Sequence, residues 1–172
     1  LEGTAILAND FSQTAMRRGL GVEKLAEASQ LLKEVSIIPE ALIFAENGAT
    51  AMHDVTRGGL LETLLEVAKL ADLGITIDSQ RIPIRPVVSR FAEAFDFDPL
   101  KMISSGSLVA TVPPSAIDVV SEKLREKGII FADIGMVSEG KGVKIGQAGK
   151  QVWHQDIHCE DDELATIWER YV

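Results

Sequence analysis

Cysteine is almost missing from this chain. Of 172 residues only Cys159 carries a thiol, which excludes an internal disulfide framework and agrees with a reducing cytosol. Basic residues are also few: 17 Lys and Arg stand against 26 Asp and Glu, for a net charge of −9. A surface of that sign repels phosphate backbones unless a basic stripe offsets it. No such stripe occurs, so nucleic acid is not an expected partner. No apolar run approaches the roughly 20 residues that cross a bilayer, and no basic start followed by an apolar stretch opens the chain. The expected setting is therefore the cytoplasm, with no membrane partner. Neither G-x-x-x-x-G-K-[ST] nor G-x-G-x-x-G is present, so a P-loop and a dinucleotide fingerprint are both excluded. There is no internal repeat, low-complexity tract or long linker.

What is present is a chain with 46% hydrophobic and 25% charged residues, ordinary for a soluble α/β protein with a real core. Its length predicts one domain over residues 1–172. Leu1 is not a start methionine, and the chain opens on an apolar segment, which suggests a domain cut from a longer protein.

The chemistry concentrates in Thr50 to Leu60, which reads as strand, turn and helix. Small and apolar residues lead into His53, Asp54, Thr56 and Arg57, and Gly58-Gly59 then open the best amphipathic helix in the sequence. Glycines permit a sharp turn, and the first amides of a helix have no intrahelical partner. With the positive end of the helix dipole they favour an anion such as phosphate. A plainer reading stands beside this one. Asp54 or Thr56 is then a helix cap, Gly58-Gly59 a tight turn, His53 a satisfied interior histidine and Arg57 a surface cation.

The remaining elements follow from periodicity and punctuation. Thr4 to Ala8 reads as a short strand, with Asn9-Asp10 capping a helix that Gly19 ends. Val22 to Val35 reads as an amphipathic helix with Val22, Leu25, Ala26, Leu32 and Val35 on its apolar side. Pro39 opens a helix that Asn47-Gly48 stop. In the helix after the glycines, Leu60, Leu61, Leu64, Leu65 and Ala68 form the packing stripe, with Glu62, Glu66 and Lys69 on the opposite face. Strands are expected at Ile75 to Ile77, Leu108 to Val112, Ile129 to Phe131 and Ile134 to Val137. Helices are expected from Pro86 to Phe95 and after Pro113-Pro114, with Ile117, Val120 and Leu124 inward. Gly142 to Ile145 and Lys150 to Trp153 read as a hairpin.

A second candidate is the loop Ile103-Ser104-Ser105-Gly106-Ser107, where small residues let a ligand approach the backbone; a bulge or glycine turn feeding the strand is the alternative. In the tail, His154, His158 and Cys159 with Asp156, Asp161 and Asp162 match no zinc spacing, so no metal site is assigned. Glu160 to Glu163 fit better as negative charge at the start of a last helix.

His53-Asp54-Val55-Thr56-Arg57-Gly58-Gly59-Leu60 resembles the H-D-x-T-R-G-G-L signature of the HypE family of hydrogenase expression/formation proteins. That family is a branch of the AIR-synthase-related superfamily, which also holds selenophosphate synthetase and thiamine-monophosphate kinase. Gly74 to Asp78, Ile82-Pro83-Ile84, Asp98-Pro99-Leu100 and Gly106 to Pro114 follow in the family's order, over roughly residues 49 to 137. The resemblance implies an α/β (α+β) fold like the AIR synthase C-terminal domain, a mixed β-sheet flanked by helices with partly ferredoxin-like topology. It implies a missing N-terminal ATP-binding domain, with which ATP and Mg would bind, and a homodimer in the full-length protein. A maturation-protein partner is a further expectation. The implied activity is ATP-dependent phosphorylation of an amide-type oxygen, with the isolated domain inactive.

By resemblance, His53 and Arg57 stabilise developing negative charge and Asp54 orients the motif or a metal-bound water. Thr56, Gly58 and Gly59 contact phosphate, joined by Ser105 and Gly106 of the second loop. Two features depart from the family. The chain ends Glu169-Arg170-Tyr171-Val172 in place of a proline-arginine-x-cysteine tail, and Cys159 lies well upstream of that place. Ser105 stands where HypE proteins commonly carry glutamate, closer to selenophosphate synthetase. These departures leave room for a selenophosphate-synthetase-like or thiamine-phosphate-kinase-like enzyme, or for a non-catalytic module that binds a metabolite or partner.

Overall fold

Helix α5 (Gly59–Ala71) lies at the centre of the architecture, since its apolar stripe has a sheet to cover and its start carries the motif. The computed structural model describes residues 1–147, 150–156 and 162–171. Leu64, Leu65 and Ala68 of α5 pack on Ile75, Ile77, Val143 and Ile145, the inward residues of alternating strands. These strands are β2 (Gly74–Asp78) and β5 (Gly142–Gln147), which run parallel with Ile75 beside Val143. β4 (Gly135–Ser138) pairs antiparallel with β2, and β6 (Lys150–His154) antiparallel with β5. The result is a mixed four-stranded sheet of order β4-β2-β5-β6.

A second sheet holds only β1 (Ala51–Asp54) and β3 (Leu108–Thr111), antiparallel, with His53 opposite Val109. Helix α7 (Ile117–Glu126) follows β3, so the chain runs β1-α5-β2 and later β3-α7-β4. The first strands of the two units pair with each other, as do the second strands. This is the ferredoxin-like part of the topology, with its strands divided between two sheets.

The remaining helices build their own core. α1 (Glu2–Asp10), α2 (Ser12–Arg17), α3 (Val22–Gln30), α6 (Pro86–Phe95) and α8 (Glu163–Tyr171) surround Leu7, Phe11, Phe91, Phe95 and Ile167. α4 (Ile38–Glu46) packs on α7 through Ile43, Val120 and Leu124. Among the described residues no helix is long and apolar enough to cross a membrane.

Several sequence expectations need correction. Thr4 to Ala8 is not a strand: it lies inside α1, whose small residues Gly3, Thr4, Ala5 and Ala8 are buried at helical spacing. A short apolar run carries no period of its own, and here close helix packing decides. A Cβ on Gly3 would lie 2.4 Å from the Met102 sulfur. Asn9 and Asp10 end α1 rather than capping the next helix, which starts at Ser12 with no side-chain cap. α3 stops at Gln30 in a one-turn 3-10 helix, Leu31–Glu34, and its buried face is Leu25 and Ala28; Val22, Leu32 and Val35 are exposed. Ile129 to Phe131 is not a strand: Ile129 and Phe131 pack on the α4–α7 cluster instead. Glu62, expected on the outer face of α5, is buried, folded against the α-carbon of Gly58. The hairpin forms as β5 and β6, with Ala148 and Gly149 of its turn outside the described residues.

Candidate functional site at the start of α5

β1 delivers His53 and Asp54, and the chain then turns through Val55, which is 1% exposed, into α5. Thr56 and Arg57 are left on the surface, and among the described residues no carboxylate pairs with Arg57. Gly58 and Gly59 turn the chain at φ +80° and +69°, a region that side-chain-bearing residues rarely adopt. Gly59 is required twice over, since a Cβ there would lie 2.5 Å from the Leu100 carbonyl oxygen.

His53 is held from two sides. Its Nδ1 lies 2.7 Å from the Asp54 carbonyl oxygen, and since a carbonyl only accepts, Nδ1 donates. Its Nε2 lies 3.1 Å from a carboxylate oxygen of Glu66, two turns along α5. The ring is thereby fixed against the strand–helix corner, with the Asp54 carboxylate 3.6 Å from Nδ1.

Three of the donors at the helix start already have partners. The Gly58 amide donates to Asp162 Oδ2 at 2.7 Å, the Gly59 amide to the Thr56 carbonyl at 3.1 Å, and the Leu61 amide to the Leu100 carbonyl at 2.9 Å. Next to them is a small cavity of about 70 Å³ lined by Gly58, Leu61, Glu62, Lys101, His154 and Asp156. Burial pushes the His154 imidazole below its ordinary value, helped by the charge of Lys101 and opposed by Asp98.

The second loop reaches the first motif through its backbone. The Val55 amide donates to the Ser107 carbonyl at 2.8 Å, extending the β1–β3 ladder. Ser105 and Gly106 are half-buried, and Gly106, at φ +96°, backs onto the chain at Glu34 and Val35. A Cβ there would come within 2.5 Å of the Glu34 carbonyl oxygen. Glu34, ion-paired to Arg85, lines a groove of about 480 Å³ walled by Leu31, Pro83, Ile84, Val87 and Ile130.

The structure thus brings His53, Asp54, Thr56, Arg57, Gly58 and Gly59 to one corner and sets the Ser107 end of the second loop beside it, while Gly106 faces the 3-10 turn. Of the imagined tail ligands, His154 and Asp156 line the small cavity and Asp162 holds Gly58. His158, Cys159 and Asp161 lie outside the described residues. Among the described residues no group of three or more His, Cys, Asp or Glu is placed to hold a metal. Sequence reasoning missed Glu66 and Asp162 as partners of the motif. Glu66 was legible only as a helix position 13 residues after His53, and Asp162 only as part of an acidic run.

Residues 3–147 match the family described as AIR synthase related protein, C-terminal domain. The chain belongs to that family. The match extends well beyond the stretch whose motifs stand out by eye. A carbamoyl dehydratase HypE of Bradyrhizobium diazoefficiens is 40% identical over 90 residues, 51% of this chain and 26% of that protein. The solved structure of E. coli HypE, a hydrogenase maturation protein, superimposes with a TM-score of 0.65 at 29% identity, covering 73% of this chain and 41% of that one. Two further HypE structures share the fold at 23% identity. One, in complex with ATP, has a TM-score of 0.58 over 77% of this chain and 40% of that one. The other, a HypE–HypF complex, has a TM-score of 0.57 over 66% and 38%. This AIR-synthase-related chain spans less than half the length of each of these relatives.

Proposed function

We propose that this domain supplies phosphate-facing groups to a HypE-like, ATP-dependent enzyme of hydrogenase maturation, one that activates an amide-type oxygen by phosphorylation. The observation that carries the reading is the corner itself. Imidazole, carboxylate, hydroxyl and guanidinium are presented together at the strand end, just before a helix whose first turn is set by two positive-φ glycines. Phosphoryl transfer asks a protein chiefly for positioning and for charge placed where negative charge develops. Arg57 is a surface cation suited to a phosphate oxygen, and His53 adds a second basic group. Thr56 offers a hydroxyl donor, and Asp54 orients the strand end and a water of the nucleotide's hydration shell. Gly58 and Gly59 let the backbone come close, and Ser105-Gly106 shape the adjoining loop.

ATP is the proposed substrate, accompanied by magnesium. The described residues form no metal cluster of their own, so no step is assigned to magnesium on this chain. An N-terminal ATP-binding domain, a homodimer of the whole protein and a maturation-protein partner complete the proposal, and the names of the relatives support it. Activity is expected of the whole protein and not of this domain alone. The test is ATP turnover by the whole protein carrying His53→Ala or Asp54→Ala. Turnover should fall while the melting temperature stays nearly unchanged. Loss of folding with each substitution would assign these side chains a structural role instead.

A further inference from the structure

We infer that Asp162 is a specificity-determining residue: its carboxylate is an internal competitor for the Gly58 amide, and an external anion reaches that amide only by displacing it. The inference rests on the reading of the glycine turn as phosphate-facing. Asp162 is only 3% exposed, although aspartate is almost never buried without partners. Its partners are two helix starts. Oδ2 accepts from the Gly58 amide at 2.7 Å, across 104 residues of sequence, and Oδ1 accepts from the Leu164 amide at 2.9 Å, capping α8. Charge-assisted bonds to amides at a helix start are the same contacts a phosphate oxygen makes there. Asp162 therefore stands where sequence reasoning expected an anion, and the anion belongs to the chain.

The competition follows from the Gly58 amide itself, which has one N–H that Asp162 already holds; its neighbours Gly59 and Leu61 donate to the Thr56 and Leu100 carbonyls. A phosphate and a buried carboxylate at the same amide would also repel each other in a poorly solvated corner. Release of Asp162 does not require α8 to leave. Ile167 is fully buried, Trp168 packs edge-on against Phe11 at 5.0 Å, and Arg170 donates to the Phe95 carbonyl at 3.3 Å. Asp162 can give up Gly58 while still capping α8 through Oδ1.

A tethered carboxylate acts at high effective concentration, so a simple monoanion meeting only the Gly58 amide is rejected. A polyphosphate that also engages Arg57 and Thr56 makes contacts that Asp162 does not. Asp162 thus selects for polyphosphate chains over small anions.

The test uses the ¹⁵N-labelled chain as wild type, Asp162→Asn and Asp162→Ser, titrated separately with inorganic tripolyphosphate and with acetate. Serine retains a neutral cap for α8. Tripolyphosphate, and not acetate, should shift the Gly58 amide resonance of the wild type. In both variants tripolyphosphate should bind about tenfold more tightly, the factor that corresponds to 1.4 kcal/mol, and acetate should now shift Gly58. Equal tripolyphosphate affinity in all three, with Gly58 still responding, would overturn the competition and leave the phosphate reading standing. No Gly58 response to tripolyphosphate in any of them would overturn the phosphate reading and this inference with it. Unfolding of both variants would also overturn it, because Asp162 would then be a fixed structural cap.

Discussion

Replacing Gly59 by alanine tests whether the corner is set by backbone contact or only by glycine's conformational freedom. Gly59 has φ +69°, and an added Cβ would meet the Leu100 carbonyl oxygen at 2.5 Å, the Lys101 carbonyl carbon at 2.8 Å and the Met102 nitrogen at 2.8 Å. All three are backbone atoms, which cannot swing aside as a side chain would. Gly48 is the control: its φ is +82°, and nothing lies within 4 Å of the Cβ position. Both substitutions carry the left-handed penalty of about 1–2 kcal/mol and the same unfolded-state effect of roughly 0.4–1 kcal/mol in the other direction. Those contributions cancel in the difference. What remains for Gly59 is overpacking, about 1–3 kcal/mol, plus weakening of the Leu61–Leu100 hydrogen bond, about 1 kcal/mol. Gly59→Ala should therefore destabilise the domain by about 2–4 kcal/mol more than Gly48→Ala. Urea denaturation with matched slopes measures this difference. A difference under about 0.5 kcal/mol would show that the Leu100–Met102 chain yields freely and that contact does not set the turn.

The other predictions concern the core, the pH response and the nucleotide. Phe91→Ala empties a fully buried position whose ring stacks on Phe95 at 6.1 Å; a loss of about 3–5 kcal/mol in urea unfolding is expected, and a loss under about 1 kcal/mol would contradict this core. His154 binds its proton more weakly in the folded chain than at its ordinary value of 6.5, so the unfolded state takes up protons first as pH falls. Its contribution to stability is full above that value and is lost as pH falls below it. His154→Gln should shrink the drop in melting temperature between neutral and mildly acid buffer; an unchanged drop would assign the acid sensitivity to other groups. Calorimetric titration of ATP with magnesium should show tight binding by the whole protein and only weak binding by this domain alone, and tight binding by the domain would refute the need for a second domain.

How much of this was legible in the sequence depended on the range of the interactions. α6 runs from Pro86 to Phe95 as expected, because proline at a first turn and a 3.6-residue apolar period are local signals. The turn at Gly58-Gly59 was legible for the same reason, as were β1, β2 and the β5–β6 hairpin. Thr4 to Ala8 went wrong because five small and apolar residues suit either state, and the deciding contact, Gly3 against Met102 and Ile103, lies about 100 residues away. Ile129 to Phe131 went wrong in the same way, its apolar residues being used to plug the α4–α7 cluster. In the candidate site, residue types were readable and partners were not. His53 showed an imidazole on a strand, but nothing local announced Glu66. Of the run Glu160 to Glu163, expected as charge for the start of α8, Glu160 and Asp161 lie outside the described residues, while Glu163 stands in the first turn of that helix and Asp162 caps it through Leu164. Its second bond, to Gly58, is a property of the fold alone.

These long-range partners share one consequence, since all act on α5. The Leu100 carbonyl and Asp162 hold its first turn, Glu66 on its second turn fixes the His53 ring, and Leu64, Leu65 and Ala68 bind its length to the β2–β5 sheet. Among the described residues the strand that carries His53 and Asp54 pairs with no strand but β3, and a two-stranded ribbon has little stability by itself. The geometry of the corner therefore depends on α5 more than on β1. A small shift of this helix along the sheet would move the glycine turn and the His53 clamp together while leaving the four-stranded sheet intact. Hydrogen exchange would detect this coupling as a common opening energy for the Val55, Leu61 and Gly58 amides, lower than that of the β2–β5 ladder.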